Sequence, residues 1–178
     1  MQAVPGLIGS EGGPSWSPDG ASLVLSVYTD RLRWAVVRIG GREPPLYLTD
    51  PPSGRPIWSP DGRWIAGGKG YEVILVSPDL KTTRKLPTAV NMETEDHIMV
   101  WSADSSILYI ATSSSESAKL YALDIKTEKT VQVSDLGPDI EFRFYLSGGL
   151  SACLAPHGKS IISTVRVQKA DIWILEGF

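Results

Sequence analysis

The sequence is poor in the side chains that carry chemistry: its 178 residues include one cysteine and two histidines. Cys153 has no partner in the chain, so an internal disulfide is excluded, and its apolar surroundings suit a small buried hydrophobe. Transition-metal sites draw on two or more closely spaced histidines or cysteines, which the sequence does not supply. No cofactor is expected. Basic residues are not in excess either, with 17 Lys and Arg against 20 Asp and Glu and a net charge of −3. That balance argues against nucleic acid, whose phosphates call for a positive surface. No apolar run reaches the roughly 18 residues of a membrane helix, so direct membrane insertion is not expected. The opening Met1-Gln-Ala-Val-Pro-Gly6 lacks the basic start and apolar stretch of a secretion signal; any signal or anchor would lie upstream. No window sustains a 3.6-residue apolar period, which leaves an all-β chain.

What the sequence does have is a repeat. Trp16-Ser-Pro-Asp-Gly20 and Trp58-Ser-Pro-Asp-Gly62 are near copies, and Trp101-Ser-Ala-Asp-Ser105 and Leu154-Ala-Pro-His-Gly158 are degraded ones. They follow one another at intervals of 42, 43 and 53 residues, the last lengthened by an insertion around 135–149. A period of about 40–45 residues fits four-stranded propeller blades. In Ser-Pro-Asp-Gly, proline presets φ, the aspartate bonds back to local amides and glycine accepts positive φ. Asp19, Asp61 and Asp104 are therefore expected to cap turns. The third turn, lacking Pro and Gly, is expected to be looser, and His157 takes the capping place in the fourth.

Strands are predicted on both sides of each turn, the second ones at 23–27, 64–67, 107–112 and 161–165. Several are apolar at consecutive positions, as in strands covered on both faces. Third strands fit at 34–39, 73–76, 120–125 and 172–175, and polar outer strands at 45–49, 82–86 and 130–134, where charge protects an open edge. Trp16, Trp58 and Trp101 are expected in the core. The predicted fold is thus a β-propeller of four four-stranded antiparallel blades, at about 9–50, 51–90, 91–136 and 137–178. Residues 2–8 are positioned to complete the last blade and close a four-bladed ring. The alternative is half of a larger ring, completed by a second copy of the chain.

The Trp-Ser-Pro-Asp-Gly turn, the apolar strand after it and the Asp171-Ile-Trp-Ile-Leu175 strand resemble the WD40-like repeats of TolB-type propellers. The ending, Lys169-Ala-Asp-Ile-Trp-Ile-Leu-Glu-Gly-Phe178, is similar to the C-terminus of propellers fused to bacterial serine/threonine protein kinases. That resemblance implies a sensor or interaction domain, leaning towards an extracytoplasmic place. The chain itself has no glycine-rich kinase loop, catalytic His-Arg-Asp or Asp-Phe-Gly.

A search for catalytic groups returns little. Gly149-Leu-Ser-Ala-Cys153 lacks the second glycine of a nucleophile elbow. Gly67-Gly-Lys-Gly70 lacks phosphate-loop spacing and reads as a hairpin connection. His97, with Glu93, Glu95 and Asp96, gives the best enzymatic alternative, a channel-sited hydrolase or lyase, but reads more simply as a solvated acidic loop. A non-enzymatic binding or scaffold domain for a protein or small ligand is the expectation. The resemblance places partner-binding loops where the second and third strands meet and where the first strand begins. Tyr28, Arg31, Arg33, Arg55, Tyr71, His97, Arg143 and Tyr145 are the candidates there, since Tyr and Arg are enriched at interface hot spots.

Overall fold

The computed structural model describes residues 13–93, 96–114, 117–138, 153–154, 160–164 and 172–176, with backbone alone for Asp96, 153–154, 161–164 and 172–176. Among them the chain forms four antiparallel sheets and no helix. The first sheet holds β1 (Ser15–Trp16), β2 (Ser22–Tyr28), β3 (Leu32–Arg38) and β4 (Leu46–Leu48). The second holds β5 (Ser53–Trp58), β6 (Ile65–Lys69), β7 (Glu72–Val76) and β8 (Thr83–Pro87). The third comprises β9 (Asp96–Trp101), β10 (Ile107–Ser113), β11 (Ala118–Asp124) and β12 (Thr130–Gly137). Three strands of a fourth follow, β13 (Cys153–Leu154), β14 (Ser160–Thr164) and β15 (Ile172–Glu176). Strand order within every sheet is sequential, so each is a meander of hairpins. First strands adjoin across sheets, β1 to β5, β5 to β9 and β9 to β13, which aligns the sheets as blades around their first strands.

The consecutive apolar residues divide between two faces because strand side chains alternate. In the first blade Val24, Trp34 and Val36 join Trp58, Ile65, Ile74 and Val76 of the second in one buried cluster. Leu25, Val27, Ala35 and Val37 gather on the opposite face. The second blade divides likewise: Val73, Leu75 and Leu86 meet Met99, Trp101, Leu108, Ile110 and Leu123 of the third. Full burial of one such side chain contributes about 1.5–3 kcal/mol, so the seams between blades supply most of the apolar stabilisation.

Trp58 and Trp101 lie in these seams at 9% and 6% exposure, each against the preceding blade, and the Trp101 indole N–H reaches the Ile57 carbonyl at 3.4 Å. Trp16 departs from the expected core position. It is 55% exposed, because it belongs to the first blade and no described blade precedes it. Among the described residues the most enclosed tryptophan is Trp34, in a third strand. Its ring lies where a Cβ on Gly67 would stand 2.4 Å away, and a Cβ on Gly68 would come within 2.5 Å of Met92. The glycine pair is therefore strand, not hairpin: Gly67 and Gly68 lie inside β6, and only Gly70 turns, at φ +56°.

Turn chemistry repeats closely. Ser17 Oγ donates to Asp19 Oδ1 at 2.5 Å and accepts from the Ser22 amide at 2.8 Å, while Asp19 Oδ1 also accepts from the Ala21 amide at 2.9 Å. Ser59 and Asp61 repeat the arrangement with Trp64 and Arg63. The third turn is not looser. Ser102 Oγ donates to Asp104 at 2.7 Å, the Ile107 amide returns to Ser102 Oγ at 2.9 Å, and Ser105 adopts φ +61° where the others have glycine. The Ser-x-Asp bonds need neither Pro nor Gly, and the Ser105 hydroxyl accepts from the Asp61 amide at 3.0 Å, linking this turn to that of the preceding blade. A further copy, Ser77-Pro-Asp-Leu80, closes the β7–β8 hairpin with the same bonds and Leu80 at φ +60°. The fourth repeat's turn at His157, the terminal segment 2–8 and the insertion after Pro138 lie outside the described residues.

Two expectations follow. Gly67→Ala should lower unfolding free energy by about 1–3 kcal/mol, because the added methyl must displace the Trp34 ring from a packed seam. Chemical denaturation checks this; an unchanged midpoint would contradict the packing. The Ser102 hydroxyl, then the Ser106 amide and hydroxyl, holds the Asp104 carboxyl at about 2, below its ordinary 3.8. A depressed folded value means the stabilisation is present above about pH 4 and is lost as pH falls towards 2. The urea midpoint of the wild type should therefore drop more between pH 4 and 2 than that of Asp104→Asn, in which the side-chain acceptor remains but the titration does not.

Candidate functional site

Antiparallel meanders give the module two unlike ends. At one end lie the β1–β2, β5–β6 and β9–β10 turns together with the β7–β8 hairpin. At the other lie the β2–β3, β6–β7 and β10–β11 hairpins and the starts of β5 and β9.

The six described sequence candidates lie at the hairpin end, but the structure uses them differently. Tyr28 closes β2 and Tyr71 ends the β6–β7 turn, and both side chains project to solvent, at 54% and 61% exposure. Arg31 is exposed, with Nε 3.6 Å from Asp30. Arg33 donates to Asp30 Oδ1 at 2.6 Å and its guanidinium lies 6.0 Å from the Tyr47 ring centroid, at the edge of the first blade's apolar cluster. The hydroxyl of Thr29, with Arg33, pulls the Asp30 carboxyl well below the usual range.

Arg55 and His97 are held by the framework. Arg55 donates to the Gly13 carbonyl at 2.6 Å and the Pro14 carbonyl at 3.0 Å, binding β5 to the chain that enters the first blade. A Cβ on Gly13 would stand 2.3 Å from this guanidinium, so glycine admits it. Burial lowers the arginine's pKa from its ordinary value. His97 is in β9, not in an acidic loop, and is 4% exposed. Its Nε2 stands 3.1 Å from where a Cβ on Gly54 would be; Gly54 occupies φ +78° in the irregular stretch of β5. Arg143 and Tyr145 lie outside the described residues. The hairpin end therefore presents Tyr28, Arg31 and Tyr71 together with the Lys69–Asp50 ion pair at 3.0 Å.

Sequence reasoning passed over the turn end, where a cleft of about 730 Å³ opens between the first two blades. That falls within the range of about 300–1,000 Å³ common to ligand sites. Val36, Leu46 and Trp58 line it with Pro18, Pro44 and Pro78, and Asp19, Glu43, Asp61, Asp79 and Arg38 supply its charge. Hydrogen bonds keep the aspartates below their ordinary pKa: Ser17 then the Ala21 amide for Asp19, Ser77 then the Lys81 amide for Asp79. Burial opposes this at Asp61, yet bonds from Ser59 and Arg63 outweigh it. The signal available in sequence was the second Ser-Pro-Asp in the same blade, at Ser77. Among the described residues no group of three or more His, Cys, Asp or Glu is arranged to hold a metal.

No protein-family model matches the chain, and no curated protein matches it in sequence. Solved structures do match in shape. TolB from Acinetobacter baumannii superposes with a TM-score of 0.65 at 15% identity, covering 93% of this chain and 43% of TolB. Kuenenia stuttgartiensis hydrazine synthase gives 0.63 at 21%, over 86% of this chain and 43% of that one. Oligogalacturonate lyase in complex with manganese gives 0.62 at 16%, over 94% and 50%. The chain thus spans half or less of each of these structures. Four sheets of sequential strands aligned around their first strands, and this likeness, make the fold a β-propeller similar to TolB.

Proposed function

We propose that this chain is a non-catalytic propeller module that recognises a protein or small ligand through its hairpin end. One observation carries the reading: the recurring reactive-looking residues are committed to the framework, while two large aromatic side chains of the hairpin end remain exposed. Asp19, Asp61 and Asp104 close turns, Arg55 ties two blades and His97 is buried. Tyr28 and Tyr71 project from adjacent blades at the same end, flanked by Arg31 and Lys69. Aromatic and arginine side chains with water-excludable surroundings are the usual anchors of recognition. The ending at residues 169–178 supports a sensor role in a receptor-type kinase, with the propeller outside the cytoplasm. In that setting the module would read an external cue and transmit it as a docking event rather than by chemistry.

Tyr28→Ala combined with Tyr71→Ala tests this. A quantitative pull-down or titration with the captured partner should show affinity falling by about tenfold or more, equivalent to about 1.4 kcal/mol. Surface substitutions away from packed features change stability by only about 0.5 kcal/mol, so the melting temperature should stay where it was. Undiminished binding, or turnover in an esterase, peptidase and glycan-cleavage screen of the purified chain, would refute the proposal.

A further inference from the structure

We infer that the cleft between the first two blades is a docking site for an extended, cationic segment of a partner polypeptide. It lies at the turn end, opposite Tyr28 and Tyr71, so it stands or falls independently of the hairpin surface. Its apolar part is built from both blades. Trp58 sits in the seam, while Leu46, on the three-residue outer strand β4, is half-exposed beside Val36 and Pro44. Exposing a leucine in this way leaves apolar area that a ligand can cover, at about 25 cal/mol per Å² removed from water.

Charge selects the occupant. Four carboxylates, Asp19, Glu43, Asp61 and Asp79, line the cleft; Arg63 holds Asp61 at 2.6 Å and Arg38 pairs with Glu43 at 3.8 Å, which leaves Asp19 and Asp79 to meet a cationic ligand directly. In Asp19 and Asp79 the bonds that close the turn fall on Oδ1, and neither carboxylate has an ion-pair partner among the described residues. These carboxylates come from different turns and do not converge on a common point, unlike the oxygens of a divalent-cation site. Acids strung along an apolar cleft suit a chain whose successive Lys or Arg side chains each meet one of them while the intervening residues cover Leu46 and Trp58. A single compact cation would use only one acid and leave the apolar wall bare.

The experiment is a nuclear magnetic resonance titration of the full chain with a short blocked peptide of alternating arginine and leucine. The expected result is a shift at the Leu46 methyls and the Trp58 indole N–H. Binding should weaken about fivefold or more in Glu43→Lys, where a like charge faces the ligand. It should also weaken at about 1 M salt, where screening acts within about 3 Å. Asp79→Asn, which retains a turn acceptor, should weaken it as well and covers the case in which Glu43→Lys fails to fold. The proposal is overturned if a glutamine-for-arginine peptide binds as tightly, or if arginine amide alone matches the peptide. It is equally overturned if the shifts fall around Tyr71, or if millimolar peptide produces none.

Discussion

The structure depends on one constraint: a four-stranded sheet with apolar side chains on both faces cannot be stable alone. Alternation sends Val24, Trp34 and Val36 to one side of the first blade and Leu25, Val27, Ala35 and Val37 to the other. Each side then requires a neighbour, and the second blade answers the first with Trp58, Ile65, Ile74 and Val76. Gly67 completes the fit, since its missing side chain is the space that the Trp34 ring enters. Blade packing is therefore a set of matched shapes, large against absent, and not merely apolar contact.

Polar links run across the same seams and set their register. The Trp58 amide donates to Ser15 Oγ at 2.9 Å, and Arg84 donates to the Ile125 carbonyl at 2.6 Å and to Glu128 at 2.8 Å. Thr130 adds a bond to the Pro87 carbonyl at 3.2 Å. Bonds of this kind contribute about 1 kcal/mol each, less than the apolar seam, but they are directional. They allow a blade to sit on its neighbour at one height only.

The fold was legible because the repeat carries its own explanation: a turn motif at a regular interval implies strands around it. The third-turn expectation failed on a point of mechanism. Ser102 and Asp104 form the turn by side-chain bonds, so replacing Pro and Gly by Ala103 and Ser105 leaves the geometry intact. The site was less legible. Arg55 and Tyr71 look alike in a sequence, as loop residues of interface type, yet Arg55 is drawn into Gly13 and Pro14 from 42 and 41 residues away. Nothing local distinguishes a framework arginine from a free one. His97 was misplaced for the same reason: Gly54, far off in sequence, marks its packing. The cleft was missed because Leu46 and Asp79 meet only when two blades stack.

The turns also divide the module's tolerance for change. Each Ser-x-Asp unit fixes its own length, and the Asp61 amide bonded to Ser105 shows successive units braced against each other. An inserted residue there would break both closure and bracing. At the opposite end the connections already differ, from the two-residue link between Lys69 and Glu72 to the longer one between Ser113 and Ala118. Evolutionary novelty, or a grafted peptide, thus has more room at that rim than inside the Ser-x-Asp turns, which keep their form while the hairpins are free to diversify.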